Sequence, residues 1–155
     1  MNTFVQNQSA PVNRRRRALL LGGLALGAAL PPARACEFFA PGLRIAHPWT
    51  RATAPGEAVA GLYMKVDQVT RSDRLIRVET PLATGAEMAG RDAGPGVNWI
   101  LPEGEESVLS ESGTFIRLLG LKQPLEVARS YPLILEFENG GIVQATLNVD
   151  YTRFG

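Results

Sequence analysis

The chain has 155 residues, with 16 basic and 15 acidic side chains, one histidine and one cysteine. A chain of this length is expected to form one domain rather than several. The single cysteine excludes an internal disulfide, and the nearly balanced charge gives no electrostatic reason to bind nucleic acid.

The first 35 residues have the pattern of an export signal. The basic run 14–17 precedes thirteen apolar or small residues, 18–30, and Ala33-Arg34-Ala35 resembles an A-x-A cleavage site. We therefore expect residues 1–35 to be removed and residues 36–155 to form one exported domain, periplasmic or otherwise extracytoplasmic. Arg16-Arg17 is similar to a twin-arginine signal, and an arginine-rich Sec signal is the alternative.

The predicted exported domain keeps 11 basic against 15 acidic side chains, a net charge of about −4. It contains no apolar run approaching the roughly 20 residues that a transmembrane helix needs. We therefore expect neither a nucleic-acid partner nor a transmembrane segment in the mature chain.

Cys36 would be the first residue of this domain, and three interpretations of it stay open. It could carry lipid, although Arg34 stands where a lipobox has a small residue, so membrane attachment is the less favoured interpretation. Its thiol and the new α-amine could hold a soft metal. The third interpretation is an N-terminal residue without a special role.

Residues 43–51 and 58–66 predict the first two strands. Alternate residues of the first are expected to share one face: Leu43, Ile45, His47, Trp49 and Arg51. Pro48 cannot donate to a ladder, so it indicates an edge strand or a bulge. The apolar face of the second strand is predicted to consist of Ala60, Leu62, Met64 and Val66, with Met64 filling the core.

Further strands are predicted at 75–80, 86–89 and 107–110, with a loop at 90–98, and Asp73-Arg74 is interpreted as a surface pair. Three more follow at 114–119, 131–137 and 142–151, and Glu138-Asn139-Gly140-Gly141 indicates a hairpin turn between the last two. The last strand is predicted to have one apolar face, formed by Val143, Ala145, Leu147, Val149 and Tyr151. About eight short strands and little helix predict an all-β protein, a single antiparallel β-sandwich.

The segment Gly113-Thr114-Phe115-Ile116-Arg117-Leu118-Leu119-Gly120-Leu121, followed by Pro124-Leu125, resembles part of the PCu(A)C family of periplasmic copper chaperones, where it reads G-x-H-x-M-L-x-G-L. Trp49-Thr50-Arg51 resembles the opening of that domain. The resemblance implies a cupredoxin-like fold, copper(I) as cargo, and cytochrome oxidase assembly proteins as partners.

The ligand positions of that family are substituted in this chain. Its copper site resembles H-x10-M-x21-H-x-M, and the alignment puts Ala89 at the first histidine (Met88 if shifted by one residue), Phe115 at the second and Arg117 at the final methionine. Ala89 and Phe115 are also only 26 positions apart, where the pattern implies 33. Arginine stays protonated and cannot coordinate a metal. The weak remaining candidates for a rewired copper site are Met88, His47 and Cys36.

Two functional hypotheses follow. The first is a copper chaperone-like protein with a degenerate or rewired metal site. The second is a metal-free protein-binding or scaffold module on the same fold, with an interface formed by Trp49, Trp99, Phe115 and Arg117. We do not expect an enzyme, because the sequence has no nucleophile, P-loop or zinc motif.

Overall fold

The computed structural model describes residues 36–150, so the predicted signal peptide and Tyr151 lie outside the described residues. Ten strands make up the described part: β1 (Glu37–Ala40), β2 (Leu43–Arg51), β3 (Val59–Asp67), β4 (Asp73–Glu79), β5 (Gly85–Gly90), β6 (Trp99–Leu101), β7 (Ser107–Leu109), β8 (Thr114–Leu119), β9 (Ser130–Phe137) and β10 (Gly141–Asp150). Between residues 36 and 150 there is no helix of a length and apolarity that would cross a membrane.

The strands form a single, nearly closed barrel-like β structure in the order β5-β8-β3-β2-β10-β9-β4-β6. Strand β1 pairs with β2, and β7 pairs with β3. The all-β prediction is confirmed, with two differences. The described residues contain ten strands rather than about eight. The two that were not predicted, β1 and β6, are four and three residues long and show no periodic pattern. The pairing of β10 with β2 is parallel.

The core follows the alternation of apolar residues that the sequence shows. Both predicted apolar faces are buried: Ala60, Leu62, Met64 and Val66 in β3, and Val143, Ala145, Leu147 and Val149 in β10. Most of these side chains belong to one cluster between the two sides of the barrel. Burial of this alternating face is what holds the strand register, because a shift by one residue would expose the whole set.

The prediction of a single face for β2 is wrong beyond Ala46. The register shifts between Ala46 and Trp49, and His47 has a φ of +48°. This bulge inserts a residue, so the buried positions change from Leu43 and Ile45 to Pro48 and Thr50. Of the two explanations for Pro48, the bulge is correct and the edge strand is not, because β2 lies between β3 and β10.

Asp73 does not form the predicted surface pair with Arg74. Its side chain is 7% exposed, and its carboxylate accepts hydrogen bonds from the backbone N–H groups of Arg74, Asn139 and Gly140 at 2.7, 2.9 and 2.8 Å. The guanidinium of Arg74 instead binds Glu138 at 2.7 Å. Asp73 therefore fastens the β9–β10 turn to the start of β4, and the hairpin predicted there is confirmed.

Candidate functional site

The three positions that the sequence predicts to be substituted ligand positions, Ala89, Phe115 and Arg117, lie together on the paired strands β5 and β8. Ala89 is the cross-strand partner of Phe115, and Glu87 is the partner of Arg117. Because side chains alternate along a strand, these four residues share one face. Met88 is the partner of Ile116, is 4% exposed and belongs to the core cluster. The structure thus brings Ala89, Phe115 and Arg117 together and leaves Met88 on the opposite face.

Arg117 forms an ion pair across these strands. Its Nη1 lies 3.1 Å from Oε1 of Glu87, and the two side chains are 44% and 31% exposed. Copper(I) needs thioether, thiolate or imidazole donors. Alanine and phenylalanine carry no donor atom, and a guanidinium has no lone pair to offer. The residues at these positions therefore do not fit a copper ion.

Aromatic rings occupy the neighbouring surface and form what we call the aromatic cluster: Trp49, Tyr63 and Phe115. The ring of Tyr63 lies 4.6 Å from that of Trp49 and 5.9 Å from that of Phe115, centre to centre. These tilted contacts are in the range that stabilises aromatic pairs. Burial raises the pKa of the Tyr63 hydroxyl above its ordinary value.

Gly61 makes the position of Tyr63 possible. The ring of Tyr63 lies directly over residue 61, where a Cβ would collide with the Tyr63 hydroxyl and ring. Only glycine at position 61 leaves room for this ring. Gly61 is also the cross-strand partner of Arg117. The aromatic cluster is therefore continuous with the predicted ligand positions. Trp49 and Phe115 remain partly exposed, whereas Tyr63 is buried.

Ion pairs border the aromatic cluster on two sides. Arg51 binds Glu111 with two hydrogen bonds of 2.6 and 2.9 Å, and Arg117 binds Glu87 on the other side. The positive charge of each arginine is thus balanced by a carboxylate. The arrangement offers a partly apolar surface of low net charge, which suits contact with another protein more than attraction of an ion.

Trp99 does not belong to this surface, contrary to the interface predicted from sequence. It lies in β6, where it is the partner of Leu75 in β4, and it is 8% exposed. Its ring is part of the core cluster. Trp49, Phe115 and Arg117 are the three members of the predicted interface that the fold brings together.

The other metal candidates are only partly brought together. The backbone N–H of His47 donates to the carbonyl of Cys36 at 2.8 Å, which places the two residues opposite each other. The imidazole Nε2 of His47 lies 2.8 Å from a carboxylate oxygen of Asp150, which fixes the ring. Among residues 36–150, no three histidine, cysteine, aspartate or glutamate side chains are grouped as a metal site.

Tyr63, Glu87 and Glu111 were missed by sequence reasoning. Glu87 and Glu111 become partners of arginines only through the pairing and turns of separate strands, so their spacing in the chain carries no signal. The sequence did contain a signal for Tyr63, because Gly61-Leu62-Tyr63 places a glycine and an aromatic residue on the same face of one strand. A glycine inside a strand often marks a close approach of another group.

Solved structures with the same fold include PCuAC domains. An apo PCuAC domain from PmoF1 is 28% identical with a TM-score of 0.68, over 74% of this chain and 98% of that one. A copper-bound PCuAC domain from PmoF2 is 27% identical with a TM-score of 0.68, over 74% and 97%. CuI-DR1885 from Deinococcus radiodurans, 23% identical with a TM-score of 0.58 over 68% and 76%, supports the fold alone.

These similarities confirm the cupredoxin-like fold and the resemblance to PCu(A)C proteins that the sequence indicated. No curated protein matches this sequence. The protein family described as putative lipoprotein LpqE-like matches residues 43–149, from the first residue of β2 to the penultimate residue of β10. The chain therefore belongs to the LpqE-like family.

Proposed function

We propose that this protein has a copper-handling, chaperone-like role outside the cytoplasm, with copper(I) as cargo rather than as a resident cofactor. The observation that carries the proposal is the similarity to a copper-bound PCuAC domain over almost the whole of that domain. The role is one of binding and transfer, not catalysis.

The proposal requires a rewired site, because Ala89, Phe115 and Arg117 offer no copper donor. Cys36 offers a thiolate and His47 an imidazole. A backbone hydrogen bond of 2.8 Å from His47 to Cys36 places these two residues opposite each other. A thiolate and an imidazole suit copper(I). Asp150 would orient the imidazole, as carboxylates commonly do for metal-bound histidines. Met88 is a weaker candidate because its side chain lies in the core.

An anaerobic titration of the exported chain with copper(I), against a competing chelator, tests this proposal. We expect one tight site that is weakened in Cys36→Ser and in His47→Ala. Met64→Leu, which changes a core methionine outside the proposed site and keeps the core filled, is the matched control and should leave affinity unchanged. Failure to bind copper(I) at micromolar concentration would exclude the copper-handling role.

A metal-free protein-binding module is the second candidate function. It is favoured by the aromatic cluster, which is partly exposed, is bordered by balanced ion pairs and adjoins the substituted ligand positions. Aromatic and arginine side chains contribute strongly at protein interfaces. Crosslinking in the native compartment should yield a partner that Phe115→Ala and Arg117→Ala lose, whereas Ile100→Ser, a change of an exposed apolar residue on β6, should keep it.

We infer export from the leader-like residues 1–35 and from membership of a family described as lipoproteins. By resemblance, proteins that assemble the copper site of cytochrome oxidase are the proposed partners. The mass of the mature N-terminus, measured on protein recovered after export, distinguishes a free Cys36 from a lipid-modified one. A chain that retains residues 1–35 would contradict the proposed cleavage.

A further inference from the structure

The outer surface of strands β5, β8, β3 and β2, which are paired in this order, is largely apolar. We call this surface the four-strand face. Outward positions of a sheet that faces water are normally polar. Val59, however, is 48% exposed. The apolar or glycine residues at outward positions of this face are Trp49, Val59, Gly61, Tyr63, Phe115 and Leu119.

Charged side chains of both signs lie at each end of the four-strand face. At the β5 end, Glu87 is the cross-strand partner of Arg117 on β8, and Arg117 is in turn the partner of Gly61 on β3. At the β2 end, the guanidinium of Arg51 binds the carboxylate of Glu111. All four charged side chains are between 31% and 44% exposed. Each end therefore presents one positive and one negative group to a molecule that covers the face.

The four-strand face is complementary to itself under a two-fold rotation. An axis along the strands, between β8 and β3, lays β2 of one copy on β5 of a second copy and β3 on β8. Trp49 is the cross-strand partner of Tyr63, so Arg51 and Gly61 belong to the next row, which continues across β8 to Glu87. Rotation about this axis keeps each row in place. Arg51 of each copy therefore meets Glu87 of the other, and opposite charges face each other at both ends.

The residues between the two ends also match under this rotation. Val59 and Leu119 are cross-strand partners, so Val59 of one copy meets Leu119 of the other, and two apolar side chains leave water together. Arg117 meets Gly61, where the absence of a side chain leaves room for a guanidinium. Arg117 donates one hydrogen bond to Glu87 through Nη1, whereas a guanidinium has five N–H donors. It can therefore bind a carboxylate of the second copy while it keeps its own ion pair.

We propose that the four-strand face joins two copies of this chain in a symmetric dimer. The inference rests on the protein-binding function and names its partner as a second copy. A two-fold contact requires a surface that complements itself, and this face does so in charge and in apolar contacts. It spans four strands about 4.8 Å apart and three rows about 7 Å apart, which is smaller than a standard interface. We therefore expect a reversible dimer with a Kd of about 10–100 μM.

Analytical ultracentrifugation of the exported protein, over a concentration series up to about 1 mM, measures this dimer. The mean mass should rise from one chain to two. Two charge-exchange variants test the arrangement: Glu87→Arg with Arg117→Glu, and Arg51→Glu with Glu111→Arg. Each variant keeps the ion pair inside its own copy but places like charges opposite each other in the dimer. Each should therefore dimerise at least about tenfold more weakly than the unaltered chain.

A mixture of the two charge-exchange variants provides the decisive measurement. In a mixed dimer every charge again faces its opposite, so the mixture should dimerise about as tightly as the unaltered chain. Ile100→Ser, which removes an exposed apolar side chain on β6 outside this face, should leave the Kd unchanged. Equal dimerisation of both variants and the unaltered chain, or a mixture no tighter than either variant, would overturn the proposed contact.

A chain that stays monomeric at about 1 mM would also overturn the dimer, because even a small specific interface is populated at that concentration. That result would leave the protein-binding function standing if crosslinking in the native compartment still captures a different protein through Phe115 and Arg117. Failure of both experiments would exclude the dimer and the protein-binding function together.

Discussion

Installing the family's ligand types at Ala89, Phe115 and Arg117 should create a copper(I) site in this protein. Ala89 and Phe115 are cross-strand partners, so their Cβ atoms are about 5 Å apart. Arg117 follows Phe115 on the same face at about 7 Å along the strand. The imidazoles of Ala89→His and Phe115→His and the thioether of Arg117→Met can therefore reach one ion.

The charge of Arg117 sets the expected magnitude. Two unit charges about 4 Å apart repel by roughly 4 kcal/mol at an effective dielectric constant of 20, which corresponds to about three powers of ten in Kd. The ion pair with Glu87 offsets part of this repulsion. We therefore expect the triple variant to bind copper(I) about ten- to a thousandfold more tightly than the double variant that retains Arg117. Arg117→Met alone adds a single thioether and should change little.

The assay is anaerobic competition for copper(I) against a chelator, with circular dichroism to verify that each variant is folded. Cys36→Ser in every protein removes the proposed native donor and isolates the installed site. A triple variant that binds no more tightly than the unaltered chain would contradict the geometric reasoning. A double variant as tight as the triple would contradict the electrostatic reasoning.

Three further predictions concern stability and can be measured by urea unfolding. Asp73→Ala removes the acceptor for three backbone N–H groups and should lower the free energy of unfolding by about 2–4 kcal/mol, whereas Glu57→Ala on an exposed turn should cost under about 1 kcal/mol. Gly61→Ala should cost about 1–3 kcal/mol and change the near-ultraviolet circular dichroism, because the new Cβ displaces Tyr63; unchanged spectra would contradict the packing described here. Hydrogen bonds from Arg44 lower the pKa of Asp67 from 3.8 to about 2, so Asp67 stabilises the fold above about pH 4 and loses this contribution as the pH falls towards 2. Asp67→Asn should therefore cost about 1 kcal/mol at pH 7, after allowance for solvent screening, and almost nothing at pH 2; an equal cost at both values would refute the linkage.

Much of the fold could be predicted from local patterns. Strands β2 and β8 have the predicted limits, and β10 has the predicted apolar face, because alternation with period two is a property of consecutive residues. The β9–β10 hairpin was predicted from Asn139 and the two glycines that follow it, one of which, Gly141, has a φ of +74°. The bulge at His47 was predicted only as one of two explanations for Pro48. Pro48 indicates an irregularity, but its size depends on how β2 pairs with β3.

The sequence by itself determined the residue types at Ala89, Phe115 and Arg117, the positions that we predict to correspond to the family's ligands, and therefore that these three side chains provide no donor to copper. It also determined the all-β class, because alternating apolar residues and turn residues are local features. Only the tertiary structure decided that Glu87 pairs with Arg117 and that Trp99 lies in the core away from Trp49. Each of these depends on strands distant in the chain meeting in one register, and that register is set by burial of the whole core rather than by any local pattern.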